Sequence, residues 1–230
     1  MKKMKIYTLS IHENIDEAII SKWLAYVTPG QQERLNRFRF REDFLRSLFG
    51  EAMIRTVAGE IISVSPEKLN ISRPKGEKPF FPDYPELHFN ISHSGEWVIC
   101  AIGDTQVGID IEEINNKAVS SSLIKKVLSE KEQEYMDQIA DEQRNAVFYR
   151  FWTIKEAYVK CVGRGLRISL NKIDIDLGRK TIYLIDEKKE WDGQIYGIDF
   201  RVGYQMSVCT LKACAIDLSA FQIHPVGYYK

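Results

Sequence analysis

The apolar and polar residues of this chain follow two different periods. Apolar residues recur every three or four positions in residues 43–59 and 145–162, which predicts two long amphipathic helices. Thr28-Pro29 is typical of the start of a shorter helix, with proline in its first position. Apolar and polar residues alternate in the predicted strands 5–11, 173–177, 181–186, 194–200 and 205–211. This mixture of helices and strands predicts the α+β class.

Residues 88–102 predict a β-hairpin with a very polar turn. The predicted strands 88–91 and 97–102 flank the sequence S-H-S-G-E at 92–96. A turn that contains Ser92 and His93 presents hydroxyl, imidazole and backbone N–H groups together, and this combination suits an anion such as phosphate. The alternative, an ordinary polar hairpin loop, is open at this point.

A short acidic motif follows in the predicted strand V-G-I-D-I-E at residues 107–112. Side chains two apart in a strand share a face, so Asp110 and Glu112 point one way while Ile109 and Ile111 point the other. Two neighbouring carboxylates repel each other unless a cation lies between them, and Mg²⁺ prefers such oxygen ligands. An edge strand with a solvated acidic face explains the same pattern, and both interpretations are open.

One stripe of the second long helix mixes residues that are typical of cores with residues that are typical of surfaces. Its members follow one another at helical spacing: Trp152, Lys155, Glu156, Val159 and Lys160. An i,i+4 ion pair on a solvated surface accounts for Glu156 and Lys160, but it does not explain why Trp152 shares their stripe. We expect this stripe to face a functional site.

Basic residues are concentrated in two stretches of the first half. Four arginines, interleaved with aromatic residues, occupy residues 34–41, and the proline-rich loop 73–85 contains Lys78 among other basic residues. Such clusters are either solvated surfaces or sites that hold phosphate.

The two halves of the chain weakly resemble each other, at an offset slightly above one hundred residues. Three residue types of the first long helix recur in the second: Phe44, Arg46 and Gly59 match Phe148, Arg150 and Gly163. Each half is helical first and rich in strands afterwards. We therefore expect two duplicated halves, residues 1–104 and 105–230, with a glycine ending each long helix and a ligand site in the cleft between the halves.

Composition argues against several classes of function. Lysines plus arginines and aspartates plus glutamates each number 32 among the 230 residues, so net charge gives no case for binding nucleic acid or an anionic membrane. The N-terminal residues lack the features of a signal peptide, and no stretch approaches the ~18 apolar residues of a membrane span. The four cysteines form no C-x-x-C pair and are expected to be buried thiols. We expect a soluble, cytoplasmic monomer.

Three motifs, in order, resemble those of the Sfp-type 4′-phosphopantetheinyl transferases. They are F-N-I-S-H-S-G at 89–95, G-I-D-I-E at 108–112 and W-T-I-K-E-A-Y-V-K at 152–160. The chain length and the K-P loop before the hairpin are also similar to that family. The resemblance implies two similar α/β halves related by a pseudo-twofold axis, with the active site in the cleft between them.

The resemblance also implies an activity. Members of the family transfer the 4′-phosphopantetheine of coenzyme A to a serine of an acyl or peptidyl carrier protein and release adenosine 3′,5′-bisphosphate. They use Mg²⁺, for which Mn²⁺ can substitute. Sfp-type members activate nonribosomal peptide and polyketide synthases, so antibiotic biosynthesis is an expected setting.

By the same resemblance, individual residues receive roles. Asp110, Glu112 and Glu156 bind the metal. Glu156 is also the general base that takes the proton of the carrier serine, and Lys160 steadies the phosphates. The residues implied to bind the coenzyme are Arg34, Ser47, Lys78, Ser92, His93 and Lys160.

Two positions depart from the family pattern. Gln31 stands where lysine is frequent, and Glu77 stands where glycine is common. Neither touches the implied metal ligands, so they bear on coenzyme affinity rather than on activity. Two other functions are considered. A non-catalytic coenzyme-binding protein is disfavoured because all three acidic residues are present. An Mg²⁺-dependent nucleotide hydrolase is disfavoured because the sequence has no P-loop.

Residues 114–136 are the expected surface for the carrier protein. Carrier helices are typically acidic, so Lys117, Lys125 and Lys126 are candidate contacts, together with an exposed apolar residue such as Leu123 or Val127. An ordinary amphipathic helix is an equally good explanation of this stretch.

Overall fold

The structure is a computed structural model that describes residues 2–11, 15–115, 117–163 and 168–220. Its α-helices are α1 (Glu17–Leu24), α2 (Pro29–Leu35), α3 (Arg41–Ile62), α4 (Ser121–Val127), α5 (Glu130–Asp137) and α6 (Asp141–Val162). Its strands are β1 (Lys2–Ser10), β2 (His88–Ser94), β3 (Trp97–Gly103), β4 (Val107–Glu113), β5 (Ile173–Asp176), β6 (Thr181–Leu184), β7 (Lys189–Glu190), β8 (Gln194–Ile198), β9 (Tyr204–Thr210) and β10 (Cys214–Ala220). The expected α+β class is confirmed.

The strands form three sheets. The first has the order β10-β1-β3-β2, the second β4-β9-β8 and the third β5-β6-β7. Most neighbouring strands are antiparallel, but β1 and β10 are parallel, with Lys2 opposite Cys214 and Thr8 opposite Ala220. A strand from the end of the described chain therefore completes a sheet that is otherwise built from the first 103 residues.

Each half places one long helix on a pair of antiparallel strands. In the first half α3 packs on β2 and β3, and in the second half α6 packs on β4 and β9. Both helices contain 22 residues, and both end at a residue in the left-handed conformation, Ser63 with φ 59° and Gly163 with φ 70°. In both helices, buried apolar residues recur every three or four positions, as expected for a helix that packs on strands.

Gly59 does not end α3, so this part of the predicted correspondence between the halves is wrong. The helix continues to Ile62, and Ser63 ends it. Gly59 is required for another reason: the chain turns back over the helix, and a Cβ at Gly59 would lie 2.4 Å from the carbonyl oxygen of Val64. Gly163 does end α6, as expected.

The hairpin is longer on its first strand than the sequence predicts. β2 extends to Ser94, so Ser92, His93 and Ser94 are strand residues rather than members of the turn. Successive strand residues point to opposite faces, and Ser92 is accordingly buried while His93 is exposed. The expected cluster of hydroxyl, imidazole and free N–H groups in one turn does not form.

Side chains rather than backbone groups connect β2 to β4. The amide oxygen of Asn90 accepts a hydrogen bond from the backbone N–H of Ile109 at 2.8 Å. The hydroxyl of Ser92 accepts a long bond from Ile111 N at 3.5 Å, and that of Ser94 accepts from Glu113 N at 3.0 Å. We call Asn90, Ser92 and Ser94 the side-chain ladder. It accepts hydrogen bonds from backbone N–H groups on the edge of β4 that pairs with none of the described strands, and it connects the two halves.

The buried apolar side chains of the described residues form three clusters. One lies between α3 and the first sheet, one surrounds α6, and a third lies between the sheets and includes Ile6, Ile99, Ile109, Ile111 and Val208. All four cysteines are buried free thiols, as predicted. Across the described residues, no helix has both the length and the apolar character needed to cross a membrane.

Candidate active site

Asp110 is the most enclosed acidic residue of the acidic motif. It lies in the middle of β4 and is 3% exposed, because α6 covers the face of the strand from which its side chain emerges. The ammonium group of Lys160 lies 2.6 Å from Asp110 Oδ1, and the Ser92 hydroxyl donates to the same oxygen at 2.9 Å. A solvated acidic face, one of the two interpretations of this strand, is therefore wrong for Asp110.

The second carboxylate oxygen of Asp110 is left without a partner. Oδ2 is buried, and none of the described residues forms a hydrogen bond with it. A buried carboxylate oxygen that accepts no bond is costly, so such atoms in folded proteins usually face a ligand, an ion or a water molecule. This oxygen fits the role of a metal ligand.

Glu112 and Glu156 are close enough to Asp110 to affect one another's ionisation. Desolvation, and then the charge of Asp110, raises the pKa of Glu112 to about 7, although a hydrogen bond of 3.1 Å from Ser94 opposes this shift. Desolvation and Asp110 also raise the pKa of Glu156, while Lys160 opposes that shift. The charge of Asp110 thus disfavours the ionised forms of Glu112 and Glu156, and a cation would relieve this repulsion.

The carboxylates do not form a closed metal cage. Among the residues that the structure describes, no group of three or more His, Cys, Asp or Glu side chains is arranged to hold a metal ion. The donors themselves are suitable, because carboxylate oxygens are what Mg²⁺ and Mn²⁺ prefer, and Asp110 Oδ2 is unpartnered. The residues present therefore fit a divalent cation in chemical type.

A cleft of ≈ 810 Å³ opens beside this group. Its polar lining includes Lys78, Asn90, Glu156 and Lys160. Most of its apolar lining comes from α4, α6 and the segment after α6, and includes Leu123, Val127, Trp152, Val159, Ile168 and Leu170. The cleft is thus lined by both charged and apolar side chains.

Lys78 reaches from the first half of the chain to the second. Its ammonium group donates to the carbonyl oxygen of Val107, the first residue of β4. Desolvation lowers the pKa of Lys78 to about 8. An anion bound in the cleft would favour the protonated form of this lysine and would be favoured by it in turn.

Four of the five residues in the stripe lie along the cleft. Trp152, Glu156, Val159 and Lys160 line the cleft. Lys155 is fully buried on another side of α6, where it donates to Val127 O at 2.7 Å and Leu170 O at 3.0 Å. It also pairs with the buried carboxylate of Glu132. Lys155 therefore holds α4, α5 and the segment at Leu170 together behind the cleft wall.

The other predicted coenzyme-binding residues lie farther from the cleft lining. His93 points away from Ser92, and partial desolvation followed by the charges of Arg46 and Lys160 lowers the pKa of His93. Arg34 is exposed on α2. Desolvation, and to a smaller extent the charge of Arg34, lowers the pKa of Arg73. Ser47 is half-buried on α3. These three residues, and the buried Ser92, are not among the described residues that line the cleft.

Sequence reasoning missed three residues near the site. Asn90 lines the cleft, and Ser94 donates to Glu112. Arg46 donates to Gly95 O at 2.9 Å and pairs with Asp43 at 2.6 Å, beside the β2–β3 turn. The alternation of Asn90, Ser92 and Ser94 along the sequence was the available signal for the first two.

Family models cover most of the chain. The model for the 4′-phosphopantetheinyl transferase superfamily matches residues 106–209, and that for 4′-phosphopantetheinyl transferase, N-terminal, matches residues 16–105. The 4′-phosphopantetheinyl transferase Sfp of Bacillus subtilis (strain 168) is 34% identical over 212 residues, which are 90% of this chain and 92% of that protein. The chain belongs to the 4′-phosphopantetheinyl transferase superfamily.

A second relative agrees with this assignment. The 4′-phosphopantetheinyl transferase psf-1 of Bacillus pumilus is 33% identical over 223 residues, which are 93% of each chain. A crystal structure of Thermotoga maritima holo-[acyl-carrier-protein] synthase is 16% identical, with a TM-score of 0.36 over 46% of this chain and 62% of that chain. That structural similarity is too low to support an argument.

The two departures from the family pattern have defined surroundings in this transferase. The amide oxygen of Gln31 accepts hydrogen bonds from Thr28 at 3.2 Å and from the buried Arg55 at 3.3 Å. Gln31 is thus held by residues of its own half. Glu77 lines the cleft next to Lys78, where it places a negative charge beside a cation.

Proposed function

We propose that this transferase moves the 4′-phosphopantetheine group of coenzyme A onto a serine of acyl or peptidyl carrier proteins and releases adenosine 3′,5′-bisphosphate. The observation that carries this proposal is the cleft in which Lys78, Lys160 and Glu156 meet beside the unpartnered oxygen of Asp110. Such a site combines cations for phosphate with carboxylates for a metal and for a proton.

Asp110, Glu112 and Glu156 are the residues that would hold Mg²⁺ or Mn²⁺. When bound, the metal supplies positive charge that neutralises the pyrophosphate of the coenzyme. The family membership and the unpartnered Asp110 Oδ2 support this assignment. Ser94 orients Glu112 by a hydrogen bond of 3.1 Å.

Basic and polar residues would hold the coenzyme by its phosphates. Lys160 and Lys78 act in the cleft, and we assign the remaining contacts to Arg34, Ser47, Ser92 and His93 in accordance with the family resemblance. Phosphoryl transfer depends mainly on positioning and on neutralising charge, so several weak contacts of this kind are sufficient to orient the reacting phosphate.

Glu156 is the proposed general base. Its carboxylate lines the cleft on the same helix as Lys160, where it is placed to accept a proton. The serine hydroxyl would give its proton to Glu156 while the serine oxygen forms a bond to the β-phosphorus. The bond from that phosphorus to the bridging oxygen breaks, and adenosine 3′,5′-bisphosphate leaves.

The carrier protein would dock on α4 and the linker before it. Lys117, Lys125 and Lys126 are exposed there, and Leu123 is half-buried at the cleft rim. Val127 was expected to be an exposed contact, but it is 2% exposed because it packs against α6, so that expectation is wrong. We propose that the transferase acts as a cytoplasmic monomer on carriers of peptide and polyketide synthases.

The test is transfer to an apo carrier protein, followed by mass spectrometry. With coenzyme A and Mg²⁺, the carrier should gain the mass of phosphopantetheine. Glu156→Gln should lower the rate by roughly 10²–10⁴-fold and leave the circular dichroism spectrum unchanged, because a positioned base contributes about that much. Loss of coenzyme A without any carrier present would favour a hydrolase instead.

A further inference from the structure

The carboxylate of Asp110 is held in one orientation by two side chains. Its Oδ1 accepts from Lys160 at 2.6 Å and from the Ser92 hydroxyl at 2.9 Å. Lys160 also donates to the Ser92 oxygen at 3.0 Å, so the three groups form a closed triangle. Because both bonds fall on Oδ1, Oδ2 is the oxygen that stays buried and unpartnered.

Ser92 belongs to the other half of the molecule. It is 6% exposed on β2, and its oxygen also accepts the long hydrogen bond from Ile111 N in the side-chain ladder. Its hydroxyl proton is directed to Asp110 Oδ1, since its other two contacts, Lys160 and Ile111 N, are donors. A strand of the first half thus sets the rotation of a carboxylate in the second half.

We propose that Ser92 is a positioning residue for the metal ligand Asp110: it fixes Oδ1 so that Oδ2 is presented to the divalent cation. This inference rests on the metal site of the proposed function. It differs from the role that the family resemblance implies for Ser92, which is contact with a coenzyme phosphate. Groups that orient a metal ligand typically change metal affinity by about 10–100-fold when they are removed.

Ser92→Ala isolates this effect, because the substitution changes no charge. The cation Lys160 remains beside Asp110, so altered affinity for a metal cannot be attributed to altered net charge. Without the hydroxyl, the carboxylate can rotate, and either oxygen can pair with Lys160. We therefore expect Ser92→Ala to bind Mn²⁺ about 10–100-fold more weakly than the wild type.

The measurement is a Mn²⁺ titration, followed by electron paramagnetic resonance, with no coenzyme present. Ser92→Thr keeps the hydroxyl and should restore affinity to near the wild-type value. Ser207→Ala is the matched control: Ser207 is fully buried on β9 directly opposite Asp110, but its hydroxyl bonds to Thr153 at 2.8 Å. This control should bind Mn²⁺ like the wild type.

The outcomes separate this inference from the proposed function. Asp110→Asn should lose Mn²⁺ binding, which establishes the site. If the wild type binds Mn²⁺ at Asp110 and Ser92→Ala binds it equally well, Ser92 does not position the ligand, and a raised KM for coenzyme A in that variant would assign it to phosphate. If the wild type and Asp110→Asn do not differ, the metal site itself is misplaced and the inference is overturned with it.

Discussion

Glu112 shows how neighbouring residues set the chemistry of a single side chain. It is one of two acidic residues on the same face of β4, and its pKa of about 7 results from burial and from the charge of Asp110. In an unfolded chain a glutamate has a pKa of about 4.3. Between these two values the folded protein holds a proton that the unfolded chain releases.

This difference predicts a pH dependence of stability. As pH rises from about 4.3 towards 7, the unfolded chain binds fewer protons than the folded protein, so the free energy of unfolding falls. Glu112→Gln cannot ionise and should lose less stability over that interval. Urea unfolding at pH 5 and pH 8, with a chelator present, measures the difference between the two proteins. Equal losses would show that Glu112 ionises normally in the folded state.

The sequence reveals the residue types of the site but not their partners. Period-two alternation correctly places Asp110 and Glu112 away from the buried Ile109 and Ile111. The pairing of Asp110 with Lys160 joins positions 50 residues apart, which no local pattern indicates. Lys155 illustrates the same limit, because helical spacing alone cannot tell a cleft residue from one that is enclosed by α4 and α5.

Contact between α6 and β4 determines where the reactive side chains lie. A Cβ at Gly108 would lie 1.9 Å from the carbonyl oxygen of Ala157 and 2.4 Å from the nitrogen of Cys161. The helix can approach the strand this closely because Gly108 has no side chain. Glu156 and Lys160 are carried on the same turns of the helix, so the glycine sets their distance from Asp110.

Gly108→Ala should therefore reduce both stability and activity. Overpacking of this kind typically lowers the free energy of unfolding by about 1–3 kcal/mol, and displacement of α6 should reduce transfer as well. Chemical denaturation and the carrier mass assay measure the two effects. Gly197→Ala, on β8, is the control, because nothing lies within 4 Å of its added Cβ. Wild-type activity in Gly108→Ala would show that α6 does not need this close approach.

Element types were predictable, whereas several element ends were not. β2 continues through the polar residues Ser92 and Ser94. The sequence alone predicts a turn there, because it does not show that these polar side chains are enclosed. Their hydroxyls are tolerated inside the protein because they satisfy N–H groups of β4. Gly59 is similarly predicted to end the helix. Its actual role is steric, because a side chain at this position would collide with the backbone of Val64, which crosses over the helix.

At the scale of the whole molecule, the cleft lies where the two halves meet. Lys78 comes from the first half and Glu156 from the second, and the side-chain ladder joins the strands between them. The family could be recognised from the sequence because each of its motifs is a short, continuous run of residues. The division at residue 104 remains a prediction, and the pairing of β10 with β1 had no signal in the sequence.

Charge on the proposed docking surface predicts a selective loss of carrier binding. Lys125 is exposed on α4 and Lys117 is exposed in the segment before it. Lys117→Glu with Lys125→Glu should therefore raise the KM for an acidic carrier several-fold, since each exposed ion pair contributes about 0.2–1 kcal/mol. The KM for coenzyme A should not change. Added salt should weaken carrier binding to the wild type more than to the variant.

A matched pair of substitutions controls for net charge. Lys22 and Lys68 are exposed in the first half, so Lys22→Glu with Lys68→Glu changes the total charge equally. It should leave both KM values unchanged. An equal rise in the carrier KM for both double variants would mean that overall charge, rather than a local surface, attracts the carrier.

The parallel pairing of β1 with β10 has a consequence for the order in which the protein folds during synthesis. Residues 2–8 emerge from the ribosome long before their partners at 214–220. Contacts between such distant positions form slowly, because a long loop must close first. Until then β1 keeps an open edge, which is a site for wrong pairing between nascent chains. When several ribosomes translate one messenger RNA, the unpaired β1 edges of neighbouring nascent chains therefore lie close together.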